Sequence, residues 1–179
     1  MSTLRTSKIL PLKGENVVAL PGHVIQVVSS TMTSTASATG LDVVDSGLAA
    51  TITPSSATSK IYINGYITLG TSSFFVYCYL VRGSTQIFTG DAAASRPTPT
   101  VANTQHMGSN DQYNFEAVPF NYLDSPNTTG ATTYKIQIRN YTTNHTWYVN
   151  RTHSDRDNAQ YEPRGTSVIT LMEIAQWNM

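Results

Sequence analysis

Thr132-Thr-Tyr-Lys-Ile-Gln-Ile-Arg-Asn-Tyr141 decides the fold class. Tyr134, Ile136 and Ile138 alternate with Lys135, Gln137 and Arg139. A period of two sends the apolar side chains to one face of an extended strand and the polar ones to the other. Lys60 to Leu69 repeats the pattern, with Ile61, Ile63, Gly65, Ile67 and Leu69 on one face and Tyr62, Asn64, Tyr66 and Thr68 on the other. No stretch of useful length carries the i, i+3, i+4, i+7 spacing of an amphipathic helix. The chain reads as strands throughout.

Working outward, Phe74 to Val81 is apolar on both faces, so it is either central in a sheet or turns its second face to another subunit. Val24 to Val28, Leu48 to Thr53, Thr85 to Phe88 and Thr166 to Ala175 read as further strands. Tyr113 to Val118 and Phe120 to Leu123 read as two short strands broken by Pro119, and His145 to Asn150 as a strand pairing after the Thr142-Thr143-Asn144 turn. Between them lie Ser/Thr/Ala, Pro and Gly stretches. The longest are Thr31 to Gly40, Asp91 to Asn110 and Arg151 to Gly165, all expected as loops. Short strands at such spacing indicate an all-β, antiparallel β-sandwich of jelly-roll type. The sandwich is expected to occupy residues 23–179. Residues 1–22 form a short N-terminal arm too small for a core of its own, with Leu4, Arg5, Lys8, Ile9 and Leu10 as its docking residues.

At 179 residues the chain is one domain's length. Only 12% of residues are charged, about half the usual ~25%. Polarity therefore comes from Ser, Thr, Asn and Gln, which suits pleated surfaces. Net charge is zero and no basic stripe runs along the chain, which argues against nucleic-acid binding through phosphates. Near-zero charge gives little colloidal repulsion, so a symmetric oligomer is expected. No apolar run is long enough to cross a bilayer, and Met1 to Lys8 has no apolar signal segment; a soluble product of the cytoplasm is expected. The single cysteine, Cys78, sits in an apolar run and reads as a buried hydrophobe.

Motifs for chemistry are absent. His23, His106, His145 and His153 show no metal-ligand spacing, and neither a nucleophile elbow nor a phosphate loop occurs. Glycosidase chemistry needs two carboxylates in one cleft, and Asp111, Glu116, Asp124 and Glu173 cannot be paired from sequence. An enzyme is not expected, nor any cofactor. Arg151 to Tyr161 is the most distinctive polar run. Asp155, Asp157 and Asn158 offer oxygens suited to calcium, without the glycine and closing glutamate of an EF-hand. The alternative is a hydrogen-bonded loop in which Arg151 or Arg156 pairs with an aspartate. Asn127, Asn140, Asn144 and Asn150 each match the glycosylation sequon, as happens by chance in an Asn- and Thr-rich chain, and are expected bare. Ten tyrosines and two tryptophans suit core packing, protein interfaces and sugar platforms alike.

Several segments resemble a known group. Met1-Ser-Thr-Leu-Arg-Thr-Ser-Lys-Ile9, Gly47-Leu-Ala-Ala-Thr-Ile-Thr-Pro-Ser-Ser-Ala-Thr-Ser-Lys-Ile61, Thr133 to Arg139, Arg151 with Ser154 to Asn158, and Gly165 to Ile174 are similar to small tail-fibre and related virion proteins of tailed bacteriophages, especially marine cyanophages. The resemblance covers both ends and part of the middle. It implies a virion structural protein, a homotrimer fastened to other virion proteins by its arm with a β-sandwich head outward, and it supplies no catalytic residues. On that footing Phe75, Tyr77 and Tyr79 are expected at the three-fold interface. His153, Asp155, Arg156 and Tyr161, or the Asp91 to Asn110 loop, are expected to meet host surface glycan. A capsid decoration protein at a three-fold site is the second expectation, and a polysaccharide hydrolase the third.

Overall fold

The computed structural model describes residues 22–72, 74–104, 111–157 and 160–176. Eleven strands run through them: β1 Val24–Met32, β2 Ala36–Thr39, β3 Val44–Ile52, β4 Lys60–Thr71, β5 Phe75–Arg82, β6 Thr85–Ile87, β7 Val101–Thr104, β8 Glu116–Asp124, β9 Thr132–Asn140, β10 Thr146–Val149 and β11 Ser167–Ile174. The helical content among the described residues is one 3-10 turn, Asp111–Tyr113. All the strand pairing is antiparallel. The fold class expected from periodicity is the one observed.

Pairing is nested. β1 lies on β11, β3 on β9, β4 on β8, and β5 on β6 and β7. Cross-links from β11 to β4 and from β9 to β5 split this long double ribbon into two facing sheets. One holds β1, β11, β4 and β8, and the other β3, β9, β5 and β6/β7. That order is the jelly roll. The β2–β10 pair is an insertion that joins the first sheet beyond the end of β11, on the last residues of β4.

Each sheet turns one face to the core. β9 buries alternate residues along its whole length, Thr132, Tyr134, Ile136, Ile138 and Asn140. From β4 come Ile61, Ile63, Ile67 and Leu69; from β5, Val76, Cys78 and Leu80; from β11, Ile169 and Leu171. Burial pushes the Cys78 thiol pKa up to about 12. β5 is central, between β9 and β6/β7, which accounts for its two apolar faces.

Polar side chains plug the core at both ends. At the end where the chain enters β1, Asp124 accepts from Arg82 at 2.8 and 2.9 Å and from the Tyr134 hydroxyl at 2.7 Å. Burial and that carboxylate push the Tyr134 pKa well up. Glu173, fully buried, accepts from the Ser55 amide and hydroxyl at 2.8 and 2.7 Å and from Gln26 at 2.6 Å. At the far end Asn140 Nδ2 donates to the carbonyls of Ala38, Gly40 and His145. Asn150, at φ +60°, donates to those of Met32 and Ser34 and accepts from Ser167. An unpaired buried polar group costs about 1–3 kcal/mol, so these clusters also specify how the ends close.

Four expectations from sequence differ in detail. Thr31 to Gly40 is not a loop throughout, since β1 runs to Met32 and β2 pairs with β10. Its Ser, Thr and Ala side chains carry no hydrophobic signal, and the neighbour supplies the pairing. The break at Pro119 does not occur; β8 is continuous through it. Among the described residues β8 pairs on one side only, with β4, and an edge strand tolerates the missing N–H. β10 does not form a hairpin with β9 but crosses to the other sheet, where Trp147, Tyr148 and Val149 are all buried. Finally, the Asp91 to Asn110 stretch contains β7, paired with β5, and Thr100 is tied to the Leu80 amide at 2.9 Å.

Candidate functional site

The two ends of the sandwich differ in kind. The entry end carries the connections at residues 53–59, 83–84 and 125–131. Gly22 donates to the Ala175 carbonyl there, so both ends of the described chain meet at this point. The far end carries those at 33–43, which include β2, at 141–145, and at 150–166, the longest of them. The 12-residue β4 joins the two ends, a span of roughly 36–40 Å.

The 151–164 segment is the most elaborate of the far-end loops. The αL turn at Asn150 redirects the chain out of β10, and the loop closes where Arg151 bridges Arg164 and the Gly165 amide reaches the Asn150 carbonyl. Its base crosses tightly over β4: a Cβ on Gly70 would run into the Arg151 carbonyl oxygen. Its ends are close and its own side chains pack it, the character of an Ω-loop. Thr152, fully buried, accepts from the Asp155 amide, and Ser154 donates to the Gln112 carbonyl, tying the loop to the 3-10 turn.

Three arginines and three acids are interleaved here. Arg164 forks onto Asp155 at 2.7 and 3.0 Å and holds its carboxyl below the usual range; Arg151 stands 3.8 Å from the same carboxylate. Arg156 pairs with Glu162 at 2.7 Å, and the Glu162 side chain is fully buried. Burial pushes Glu162 upward, but hydrogen bonds from the Arg156 amide and guanidinium outweigh it and hold the carboxyl low. Arg156 also donates to the hydroxyls of Tyr113 at 2.9 Å and Tyr161 at 3.3 Å, whose rings meet edge to face at 4.7 Å. On the other side of the loop Arg151 lies 4.1 Å over the Tyr148 ring, against which His153 stacks at 5.4 Å. Burial and the Arg151 charge lower the His153 pKa.

His153, Asp155, Arg156 and Tyr161 all belong to this loop, but His153 packs on Tyr148 on one side of it and Arg156 with Tyr161 against Tyr113 on the other. Of the calcium candidates, Asp155 has both oxygens engaged by Arg164, Asp157 is exposed, and Asn158 lies outside the described residues. Among the described residues no three His, Cys, Asp or Glu side chains gather as a metal would require. Asp155 is held by Arg164, with Arg151 only 3.8 Å away, and Arg156 pairs with Glu162 and not with an aspartate.

The arm residues Leu4, Arg5, Lys8, Ile9 and Leu10 lie outside the described residues. Phe75 is exposed, with Tyr141 against it edge-on at 5.7 Å and Phe74 at 6.5 Å; Tyr77 is half-buried. Tyr79 is 4% exposed, already covered within one chain, so it presents no surface for an interface. Asp124 and Glu173 flank Ile61 from opposite neighbours and both point inward. Each is saturated by protein donors, and Glu116 lies at the far end of β8. These carboxylates do not line an open cleft together.

Sequence reading did not single out Glu162, Arg164 or Tyr113, though the alternation of Arg and acid from Arg151 to Arg164 signals pairing within the loop. Tyr113 arrives from more than 40 residues away in the chain, without any local signal. Asn140 and Asn150 stood out only as sequon matches; in the structure both are fully buried clamps.

No protein-family model matches the chain, and no curated protein sequence does. Among solved structures it is similar to that of the infectious bursal disease virus Gx strain and to the VP2 subviral particle of the same virus, each with 15% identity and a TM-score of 0.39. The T=1 particles derived from that virus match with 13% identity and the same TM-score. The alignments cover 93–94% of this chain and 41–42% of those chains, so the chain spans about two fifths of their length.

Proposed function

We propose that the chain is a virion building block, a tail-fibre or tail-appendage protein that docks on the particle through its N-terminal arm and turns its loop-rich end to the host surface. The observation that carries this reading is the polarity of the sandwich. The described chain begins at the entry end, at Gly22, and the aromatic and ion-paired loops lie a strand's length away at the other. A part that must hold a particle and touch a cell needs two separated surfaces. The jelly roll is an architecture used in viral coat and lectin domains, which supports the reading by analogy of fold alone. The resemblance of the end segments to phage virion proteins supports it independently.

The working form is a homotrimer. Phe75 with Tyr141 and Phe74 forms an exposed aromatic cluster at the far end, and Tyr77 follows it on the same face of β5. Burying these faces between copies would remove apolar surface from water. Adhesion by several copies multiplies weak contacts. Catalysis has no part in this reading.

Gold-labelled antibody on purified particles tests location, with label on the tail as the expected result and label on the head refuting the tail assignment in favour of a decoration protein. Light scattering tests assembly, with a mass three times 19.5 kDa expected. A stable monomer would refute the trimer.

A further inference from the structure

We propose that Tyr161, braced by Tyr113 and Arg156, is the stacking platform of a binding site for a neutral saccharide at the far end of the sandwich. This rests on the reading above only in taking that end to face a host surface. Tyr161 is 58% exposed, the highest value among the large apolar and aromatic side chains of the described residues. Its ring is nevertheless held in place. The hydroxyl accepts from Arg156, whose guanidinium lies 5.7 Å from the ring centre, the ring meets that of Tyr113 at a steep angle, and Arg156 is anchored by the buried carboxylate of Glu162. Fixing an exposed ring in advance removes the ordering penalty that binding would otherwise incur.

The chemistry of the partner follows from what is already engaged. The loop holds Arg151, Arg156 and Arg164 against Asp155, Asp157 and Glu162, a formal sum of zero. Arg164 forks onto Asp155, Arg156 is divided between Glu162 and two tyrosine hydroxyls, and Arg151 lies over Tyr148 while donating to the Thr152 and His153 carbonyls. A sulfate, phosphate or carboxylate would have to displace one of these contacts to gain a guanidinium fork. What the loop presents is a flat apolar ring with a polar rim, complementary to the C–H face and hydroxyl edge of a pyranose.

The test is a printed array of neutral hexose and N-acetylhexosamine glycans beside sialylated, sulfated and uronic ones, probed with the full-length protein. Binding is expected on neutral members, unchanged in 0.5 M NaCl (roughly a 4 Å screening length). Y161A should weaken it about tenfold or more, whereas Y161F, which keeps the ring, should hold most of it. An unchanged unfolding midpoint for Y161A shows that the fold is intact. Binding to no neutral glycan, binding to anionic glycans alone, or binding that survives Y161A would each overturn the proposal. A blank array for a protein found on the particle refutes this inference and leaves the virion reading standing. Glycan binding by a protein absent from the particle does the reverse.

Discussion

Asn150 is the residue on which closure of the far end is expected to depend. Its side chain is fully buried and donates to Met32 and Ser34 carbonyls at 2.8 and 2.9 Å while accepting from Ser167 at 2.7 Å; its own amide reaches Thr68 at 2.9 Å. It thus ties the end of β1 to β4, β10 and β11 from an αL backbone that asparagine tolerates. Asn150→Ala removes three hydrogen bonds worth about 1 kcal/mol each, strands two carbonyls and a hydroxyl, and adds roughly 1 kcal/mol of αL strain. The sum is about 4–6 kcal/mol. Asn150→Gly loses the same bonds without the strain and should be about 1 kcal/mol less harmful. Asn150→Asp keeps the shape and the Ser167 contact but aims an oxygen at two carbonyls, and about 3–5 kcal/mol is expected. Urea unfolding at neutral pH measures each value from the shift in midpoint at constant slope. For a chain of this size the loss corresponds to a drop in melting temperature of roughly 2–4 °C per kcal/mol. If any of the three costs less than about 1 kcal/mol, or alanine equals glycine, the clamp does not work as described.

Other positions give independent checks. Burial works upward on Glu173, but its bonds to Ser55 and Gln26 outweigh it, so the folded carboxyl titrates below its unfolded value of about 4.3. Its contribution is then fully present above that value and is lost as pH falls through the folded pKa; E173Q should unfold at lower urea at pH 7 and show a shallower acid decline in a pH series of melts. Gly70→Ala should destabilise by several kcal/mol, on the order of a core clash, and shift the amide resonances of residues 150–152, because the new methyl meets the Arg151 carbonyl. Asp45 pairs with Lys135 at 2.7 Å on an open surface, so D45N should cost no more than about 1 kcal/mol by the same urea assay. Cys78 should resist iodoacetamide at pH 8 in the native protein and react once unfolded, since only the thiolate attacks and burial suppresses it.

Most of the core was readable one strand at a time. β4 and β9 carry a period-two pattern strong enough to assign each side chain to a face, and those faces are the ones observed. β2 and β7 were not readable, because Ser, Thr and Ala carry little hydrophobic contrast and each strand is set by its partner. The loop was recognisable as polar and distinctive, and an arginine–aspartate pair was expected in it, but the arginine that forks onto Asp155 is Arg164. That Glu162 is the buried member, and that Tyr113 completes the site, depends on strands far apart in the chain.

What the sequence determined alone was local: an all-β chain, its inward faces, its low charge, and a long polar loop between β10 and β11. These follow from side-chain alternation and composition, which act over a few residues. Only the tertiary structure decided the nesting of β1 on β11 and β3 on β9, the crossing of β10 to the opposite sheet, and the plugs formed by Asn140, Asn150, Asp124 and Glu173. Nothing local distinguishes an asparagine that ends a strand in water from one that must satisfy three buried carbonyls. The difference lies in which distant carbonyls the fold leaves without a donor.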